Sequence, residues 1–382
     1  MFKTVFKAYI RRIFACVLIL LLSPSAYAQS DLSKEFSTSP NSVIETQIVD
    51  QHKFYGLASY YNSARFIHLS DGKLKNVKSG KTVTLGEDDW LAVVGRFNVL
   101  AIKANGLSFE ITDDEISLRN SEVLAAGKID IIPKNQLKSH ARELDKIRYS
   151  HLFFLINWLA RALEMTLVFI NSFVGSWGLS IILIAVFLKI VMLPLSRLVK
   201  KYQDSVSKTQ TKLAPRLREI KMNYKGEEAH KHFIAAHKDA GVTTFYGLKP
   251  MVGLLVQIPV WIAIFNVLAE MPQIVGHSFL WVNDLAYPDK VASWNKPIPL
   301  IGNTLNIMPL IMTVVTIVST LGFRDKFAQP DILKKQKRNL FFMAAAFLIL
   351  FYPFPSGMVF YWTLANLLNF FQQILAQRKS QH

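Results

Sequence analysis

Apolar positions in this chain are concentrated near its start and in its second half, with a mainly polar stretch between them. A helix that spans a bilayer needs about 20 predominantly apolar residues. Several runs in the second half approach that length, and 51% of the chain is hydrophobic. The pattern predicts an α-helical polytopic membrane protein with five spans, at residues 177–197, 250–270, 303–323, 339–354 and 357–376.

One charge interrupts the first of these runs. Every residue of 183–195 is apolar except Lys189. A lysine at the centre of a membrane helix costs roughly 2.5 to 3.5 kcal/mol on insertion scales. Arg197 at the cytoplasmic end lies about 12 Å away along the helix, a long reach for a snorkelling side chain. We therefore expect Lys189 to face a water-filled hollow lined by several helices.

Residues 1–28 have the pattern of a secretory signal. A basic region precedes ten apolar residues, 13–22, and Ala26-Tyr27-Ala28 follows as a small-x-small cleavage pattern. An uncleaved first span is the alternative interpretation. The single cysteine, Cys16, lies inside the apolar run, so the chain has no internal disulfide framework and no thiolate metal site.

Residues 29–148 alternate between polar and apolar positions in the manner of strands. β-branched and aromatic runs are separated by the turn patterns Gly-Glu-Asp-Asp and Ala-Asn-Gly at residues 86–89 and 104–106. We predict a small extracytoplasmic β-sandwich domain here, in the periplasm, that serves as a binding or spacer module.

Residues 149–175 predict an amphipathic helix. Asn157, Arg161 and Glu164 are spaced i, i+4 and i+7, which places them on one helical face. A polar stripe with a nearby Trp158 favours a helix lying in the membrane interface, although the segment is long enough to span.

Loop charges predict the orientation of the spans. Residues 197–249 hold twelve Lys and Arg and residues 324–338 hold six, whereas residues 271–304 hold two. The positive-inside rule therefore places the two basic loops and the C-terminus in the cytoplasm. The net charge of +17 is explained by these loops and by attraction to anionic phospholipid, without direct DNA binding.

The first basic loop is rich in helix-forming residues on both sides of Tyr224-Lys225-Gly226. This pattern predicts a cytoplasmic helical hairpin at 199–240 within a core of residues 176–378. Its histidines lack partners at metal-ligand spacing, and no phosphate-binding G-x-x-x-x-G-K-[ST] motif occurs in the chain. We expect no metal, no cofactor and no catalytic residue, hence not an enzyme.

Polar side chains recur at helical spacing inside the predicted spans. Thr, Asn and Gln also hold membrane helices together, at about 0.6 kcal/mol each, so any one of them has a structural alternative. Around an unpaired lysine they are instead candidates for a wet groove. The candidate groove residues are Lys189, Ser196, Gln257, Thr313, Thr316, Trp362, Asn366, Asn369 and Gln373.

Five stretches resemble the YidC family of bacterial membrane protein insertases. They are SFVGSWGLSIILIAVFLKIVMLPLS at 172–196, APRLREIKMNYKG at 214–226, LLVQIPVWIAIFNVL at 254–268, FLWVNDLAYPD at 279–289 and FPSGMVFYWTLANLLNFFQQ at 354–373. They follow one another in the family's order and spacing. WLAVVGRFNVLAIKA at 90–104 is similar to the family's periplasmic domain.

The resemblance implies a protein that inserts and helps fold membrane proteins, alone or with the Sec translocon. Its hydrophilic groove would open to the cytoplasm and to lipid and be closed outward, with positive charge at Lys189. A hydrophobic slide would lie at 303–323 and 357–376. The hairpin, with Arg216, Arg218, Lys221 and Lys225, would receive nascent membrane proteins and the ribosome.

Four features depart from the family pattern. Lysine stands where the family usually has arginine, which keeps the charge but loses the planar fork. The external domain is shorter, the signal resembles a cleavable one, and GVTTFYGLKP at 241–250 lacks the Asn-Pro and Gly-Gly pattern. A dedicated assembly factor for one membrane complex is the main alternative function, followed by a small-anion transporter.

Overall fold

The computed structural model describes residues 29–112, 115–241, 251–322 and 330–378. The predicted signal at 1–28 lies outside these residues. The described chain forms two compact units. The first contains the residues up to Gln51 and Ser63–Glu143; the second contains His52–Asn62 and the chain from Leu144 onward.

The first unit is built from two antiparallel sheets. Its strands are β1 (Arg65–Ser70), β2 (Lys73–Asn76), β3 (Thr82–Thr84), β4 (Trp90–Val94), β5 (Asn98–Lys103), β6 (Ser108–Thr112), β7 (Glu115–Leu118) and β8 (Lys128–Pro133). One sheet has the order β2-β1-β4-β5-β8 and the other has the order β3-β6-β7. Both predicted turn patterns separate strands, so the β-rich character expected from alternation is confirmed.

Helices complete the core of this unit. Helix α1 (Gln29–Thr38), the short α2 (Pro40–Val43) and a π-helical turn at Ile44–Ile48 precede the strands. Phe36, Val43 and Ile48 from this segment share one buried cluster with Leu91 and Phe109 from the two sheets. All five residues of β4 are buried, because sheet neighbours and helical segment together exclude water from it. The predicted β-sandwich therefore did not include this helical segment, which forms part of the observed core.

The second unit is mainly helical. After the short α3 (Leu137–His140) of the first unit, the helices are α4 (Phe154–Val174), α5 (Trp177–Val191), α6 (Leu193–Asn223), α7 (Gly226–Asp239), α8 (Met251–Glu270), α9 (Ile307–Gly322), α10 (Pro330–Phe351) and α11 (Ser356–Arg378). A hairpin of β9 (Lys290–Ile298) and β10 (Gly302–Asn306) leads directly into α9.

Residues 52–62 belong to this helical unit, although alternation alone placed them in the external domain. The Tyr61 ring contacts Phe354 with centroids 6.4 Å apart, and the Phe54 ring stacks on Tyr287 at 6.5 Å. Tyr61 also lies 3.9 Å from the sulfur of Met358. Burial of these aromatic rings explains why the segment packs with helices far along the chain.

The first predicted span, 177–197, is not one straight helix. Helix α5 ends at Val191 and α6 begins at Leu193, with a bend of 55° between them. Pro194 in the first turn of α6 explains the break, because proline lacks an N–H and its ring clashes with the preceding turn. Helix α6 then continues to Asn223, and α7 begins at Gly226, so the predicted hairpin break is confirmed.

Five spans are not established by helix length and hydropathy. Among the described helices, α4 alone is long and apolar enough to cross a membrane, and α5 with α6 qualifies only if the bent pair counts as one span. Shorter apolar stretches lie at Leu255–Glu270 and Ile307–Ser319. Helix α9 starts later than predicted because residues 302–306 pair as β10, and α10 begins in the charged segment before its apolar part.

Candidate functional site

Lys189 lies in the last turn of α5 and its side chain is half-buried. Its Nζ donates a hydrogen bond to the side-chain oxygen of Asn369 on α11. The partner is a neutral amide, so the hydrogen bond orients the ammonium group without neutralising it. Lys189 makes no salt bridge with any carboxylate of the described chain, and the charge therefore stays available to an anionic group.

A second polar contact lies one turn earlier on α11. The Asn366 amide donates to the Thr316 hydroxyl on α9 at 3.1 Å. The Thr316 hydroxyl in turn donates to the Met312 carbonyl at 2.8 Å. We call Lys189, Asn369, Asn366 and Thr316 the polar seam. The seam joins α5, α11 and α9, which are distant in sequence.

The remaining groove candidates have varied surroundings. Ser196 donates to the carbonyl of Met192, the residue between α5 and α6, and Thr313 donates to the carbonyl of Pro309 within α9. Gln257 is half-buried on α8 and is not hydrogen-bonded to the seam within the described ranges. Gln373 continues the α11 face, and its side-chain oxygen is buried without a hydrogen-bond partner. Thr313 and Gln373 share α9 and α11 with the seam, whereas Ser196 and Gln257 lie on α6 and α8. None of the four is hydrogen-bonded to a seam residue in the described chain.

Trp362 lies in an aromatic cluster. It is 7% exposed, and its ring contacts Trp261, Phe265 and Phe351 with centroids 4.8, 5.5 and 5.3 Å apart. Its indole N–H is buried without an acceptor. The i, i+4 pattern placed Trp362 and Asn366 on one face, but the large ring is used to pack α11 against α8 and α10.

The predicted hairpin residues partly serve the hairpin itself. Arg216 on α6 makes a salt bridge of 2.8 Å with Asp239 on α7. Lys221 lies 5.9 Å from the centre of the Phe233 ring on α7. Lys225 precedes the first residue of α7 and is exposed, and Arg218 is exposed on α6. Arg216 and Lys221 therefore contact α7 through exposed side chains in addition to presenting positive charge.

The polar stripe of α4 packs against other parts of the helical unit, with Glu164 buried and Asn157 and Arg161 half-buried. Glu164 is 3% exposed and accepts hydrogen bonds from Arg148, from the Tyr149 hydroxyl at 2.8 Å and from Gln273 at 3.3 Å. Arg161 makes a salt bridge of 2.6 Å with Asp145. We call Asp145, Arg148, Tyr149, Arg161, Glu164 and Gln273 the α4 cluster. The spacing in α4 pointed to Arg161 and Glu164 but not to their partners in 145–149, where Asp145 and Arg148 were the available signal.

The electrostatics of the α4 cluster reflect this burial. Burial raises the pKa of the Tyr149 hydroxyl well above its ordinary value, and the adjacent Glu164 carboxylate raises it further. Burial alone would lower the pKa of Arg148, but Glu164 outweighs that effect and the net pKa is raised. Phe154, Trp158 and Phe169, elsewhere on the surface of α4, are exposed. The stripe therefore has partners within the helical unit, and the interfacial position of α4 stays a prediction.

The family model described as the 60Kd inner membrane protein matches residues 169–382, more than half of the chain. The chain belongs to this family. The match to the 60Kd inner membrane protein family includes every residue of the polar seam and all the other groove candidates. Residues 145–164, which carry most of the α4 cluster, lie before it.

Curated relatives carry the name membrane protein insertase YidC, which confirms the resemblance to that family. The Chlamydia caviae protein is 32% identical over 237 residues, 60% of this chain and 29% of its own. The Chlorobaculum parvum protein is 28% identical over 349 residues, 82% of this chain and 56% of its own. The Helicobacter pylori protein is 27% identical over 361 residues, 89% of this chain and 60% of its own.

The chain therefore spans between about a third and three fifths of the length of these relatives. A solved structure titled as an active YidC insertase with its first transmembrane domain resolved aligns over 85% of both chains, at 15% identity and a TM-score of 0.40.

Proposed function

We propose that this chain is a non-enzymatic insertase and chaperone of the bacterial inner membrane. The observation that carries the proposal is the polar seam, in which a lysine within apolar helices is held by an amide and has no counter-charge among the described residues. Such a residue is tolerated where it faces water or an anionic group. The curated relatives in the same family are named as membrane protein insertases.

The mechanism follows from this arrangement. A hydrated groove along α5, α9 and α11 shortens the distance that a polar client segment crosses through hydrocarbon. Lys189 attracts acidic residues of that segment, while Asn366, Asn369 and Gln373 offer hydrogen-bonding groups to its backbone. Partitioning of the client's apolar span into lipid supplies the free energy, since burying each CH₂ group is worth about 0.8 kcal/mol.

The arrangement of helix ends supports a five-span core. Backbone contacts bring the first residues of α9 and α11 to the segment that follows the end of α8. Tyr352, just after α10, donates to Thr304 beside the start of α9. Helices α8 and α10 end where α9 and α11 begin. Consecutive helices therefore run in opposite directions, as five consecutive spans would. The external domain is then a small periplasmic β-sandwich with a helical cover, and the C-terminus is cytoplasmic.

The partners follow from the same topology. The basic hairpin of α6 and α7 receives nascent membrane proteins and contacts the ribosome and anionic phospholipid, and the Sec translocon takes over larger clients. The first half of α6 carries Arg197, Lys200, Lys201 and Lys208 around a surface hollow, together with Asp204, which lies 3.9 Å from Lys200. The net positive charge of this face, next to the last apolar turn, fits the negative surface of the cytoplasmic leaflet.

The proposal is tested by insertion of a single-span client with a short acidic translocated segment into vesicles containing the full chain. We expect Lys189→Ala to reduce insertion severalfold and Lys189→Arg to preserve most of it, because charge matters more than fork geometry. Lys138→Ala, an exposed lysine of the first unit, is the control. Equal insertion by Lys189→Ala and the parent at equal abundance contradicts the proposal.

Photocrosslinking from position 189 to a stalled nascent chain tests contact directly. A crosslink to the translocated segment supports the groove, whereas its absence together with saturable uptake of a small anion by the same vesicles favours a transporter.

A further inference from the structure

The segment His277–Asp289 contacts the first turns of three helices, and we call it the clamp segment. It follows α8 and includes the stretch FLWVNDLAYPD. The three helices are α5, α9 and α11, the same three that carry the polar seam. None of the clamp residues belongs to the seam, so the proposed groove chemistry leaves this segment without a role.

The clamp segment satisfies the N-terminus of α11. The first N–H groups of a helix have no partner inside the helix. The Ser356 N–H donates to the Tyr287 carbonyl and the Gly357 N–H donates to the Leu285 carbonyl, both at 2.9 Å. A Cβ added at Gly357 would lie 2.9 Å from the Leu285 oxygen, so glycine permits this close approach.

Asp289 satisfies the N-terminus of α9. One carboxylate oxygen accepts from the N–H of Met308 at 2.6 Å, from the N–H of Ile307 at 3.0 Å and from the Trp281 indole N–H at 3.2 Å. Asp289 is 4% exposed. Burial raises its pKa, and its three donors oppose that rise. A carboxylate at a helix N-terminus also interacts favourably with the helix dipole.

Phe279 packs on the start of α5. A Cβ added at Gly178 would lie 2.0 Å from the Phe279 ring, which is far inside contact distance. The same ring contacts Phe360 of α11 with centroids 5.4 Å apart. One aromatic side chain therefore joins two of the three helices, and glycine at position 178 is required for it to do so.

We propose that the clamp segment is the element that positions α5, α9 and α11 for the polar seam, with Asp289 as the positioning residue for α9. Each arm uses a different contact: carbonyl acceptors for α11, a buried carboxylate for α9 and an aromatic ring on a glycine for α5. In the orientation given by the proposed function, the clamp lies at the periplasmic end and keeps the groove closed there.

The test measures distances between helices in the full chain, reconstituted in lipid vesicles, by electron spin resonance. In a Cys16→Ser background, spin labels at the exposed positions Val314 and Phe371 report on α9 against α11. A second pair at the exposed positions Phe187 and Phe371 reports on α5 against α11. Asp289→Ala should broaden the first distance distribution and leave the second unchanged.

Matched variants distinguish the loss of the Asp289 carboxylate at the N-terminus of α9 from the loss of a negative charge elsewhere in the clamp segment. Asp284 is the control, because its side chain accepts from Gly276 and Ala286 and not from a helix terminus. Asp284→Asn should leave both distributions unchanged. Asp289→Asn keeps one acceptor oxygen but loses the charge, so its broadening should lie between those of the parent and Asp289→Ala. Gly178→Ala displaces Phe279 and should broaden the second distribution.

The proposal is overturned if the first distance distribution of Asp289→Asn superimposes on that of the parent. This comparison remains a test of the proposal even if Asp289→Ala does not fold. It is equally overturned if Gly178→Ala leaves the second distribution unchanged. Insertion is measured on the same vesicles. A parent that inserts no client contradicts the proposed function but leaves the distance results valid, whereas unchanged distances contradict the clamp alone.

Discussion

Glu164 and Lys189 are both ionisable residues of the helical unit, yet their surroundings differ. Glu164 is 3% exposed and has donors in Arg148, Tyr149 and Gln273. Lys189 is half-buried, and its hydrogen bond goes to the neutral Asn369. Charge is thus compensated in the α4 cluster and left uncompensated in the polar seam.

The comparison separates a structural use of charge from a functional one. A buried charge whose hydrogen bonds are all satisfied favours one arrangement of the surrounding side chains. Removal of one partner leaves a buried polar or charged group unpaired, which is destabilising. An ammonium group whose hydrogen-bond partner is a neutral amide can still bind an anionic ligand, and it contributes little to the free energy of unfolding. We therefore expect variants of the α4 cluster to reduce stability and variants of the seam to reduce activity.

The largest effect on stability is expected for Glu164→Ala. It leaves Arg148 with only its longer 3.3 Å contact to Asp145, so the loss should approach the roughly 3 to 5 kcal/mol of a broken buried pair. Thermal unfolding of the purified chain in detergent should show a much lower midpoint, whereas Lys189→Ala should unfold near the parent. Glu227→Ala, at an exposed pair, is the control. Similar midpoints for Glu164→Ala and Lys189→Ala would remove the distinction between the two regions.

Asn369→Asp should convert the seam into a compensated pair. The new carboxylate faces the Lys189 ammonium and neutralises the charge that attracts the client. We expect insertion to fall severalfold while the unfolding midpoint is kept or raised. Asn369→Gln, which keeps a neutral acceptor, is the matched variant. Full insertion by Asn369→Asp would show that free positive charge at Lys189 is not what the client uses.

Asn366→Leu should have a small effect on stability. It removes the bond to Thr316 between α11 and α9, and such bonds contribute about 0.6 kcal/mol on average in membrane proteins. The midpoint of thermal unfolding should therefore change slightly. Thr313→Val is the control, because its hydroxyl bonds within its own helix. A loss as large as that of Glu164→Ala would mean that the seam holds the fold together.

The smallest effect is the pH dependence contributed by Tyr149. Its pKa in the folded chain is raised, so its stabilisation is fully present below the unfolded value of about 10 and is lost as pH rises through the folded value. Ionisation of Tyr149 should therefore not change the free energy of unfolding across neutral pH. Tyrosinate absorbance of the parent and of Tyr149→Phe should coincide near pH 10, and a lower signal in the variant would contradict burial of this hydroxyl.

Local patterns predicted several elements of this fold correctly. Turn residues marked the strand ends around residues 86–89 and 104–106, and Gly226 marked the break in the hairpin. Helical spacing placed Asn366 and Asn369 on one face of a helix, and in the structure Asn369 bonds to Lys189 and Asn366 to Thr316. These features depend on backbone preferences and on periodicity, which short stretches of sequence contain.

Other features depended on contacts between distant segments. Helical spacing placed Arg161 and Glu164 on one face of α4, but spacing defines a face and not the partners in 145–149 that cover it. It also placed Trp362 in the groove, whereas the ring packs among aromatic side chains of α8 and α10.

The sequence by itself determined the helical and β-rich units, the family and the lone charge in an apolar run. Only the tertiary structure decided that Asn369 holds that charge, that residues 145–149 neutralise the α4 stripe, and that Asp289 caps α9. The physical reason is that propensity and hydrophobic spacing act over one or two turns, whereas hydrogen-bond partners are chosen by which distant helices pack together.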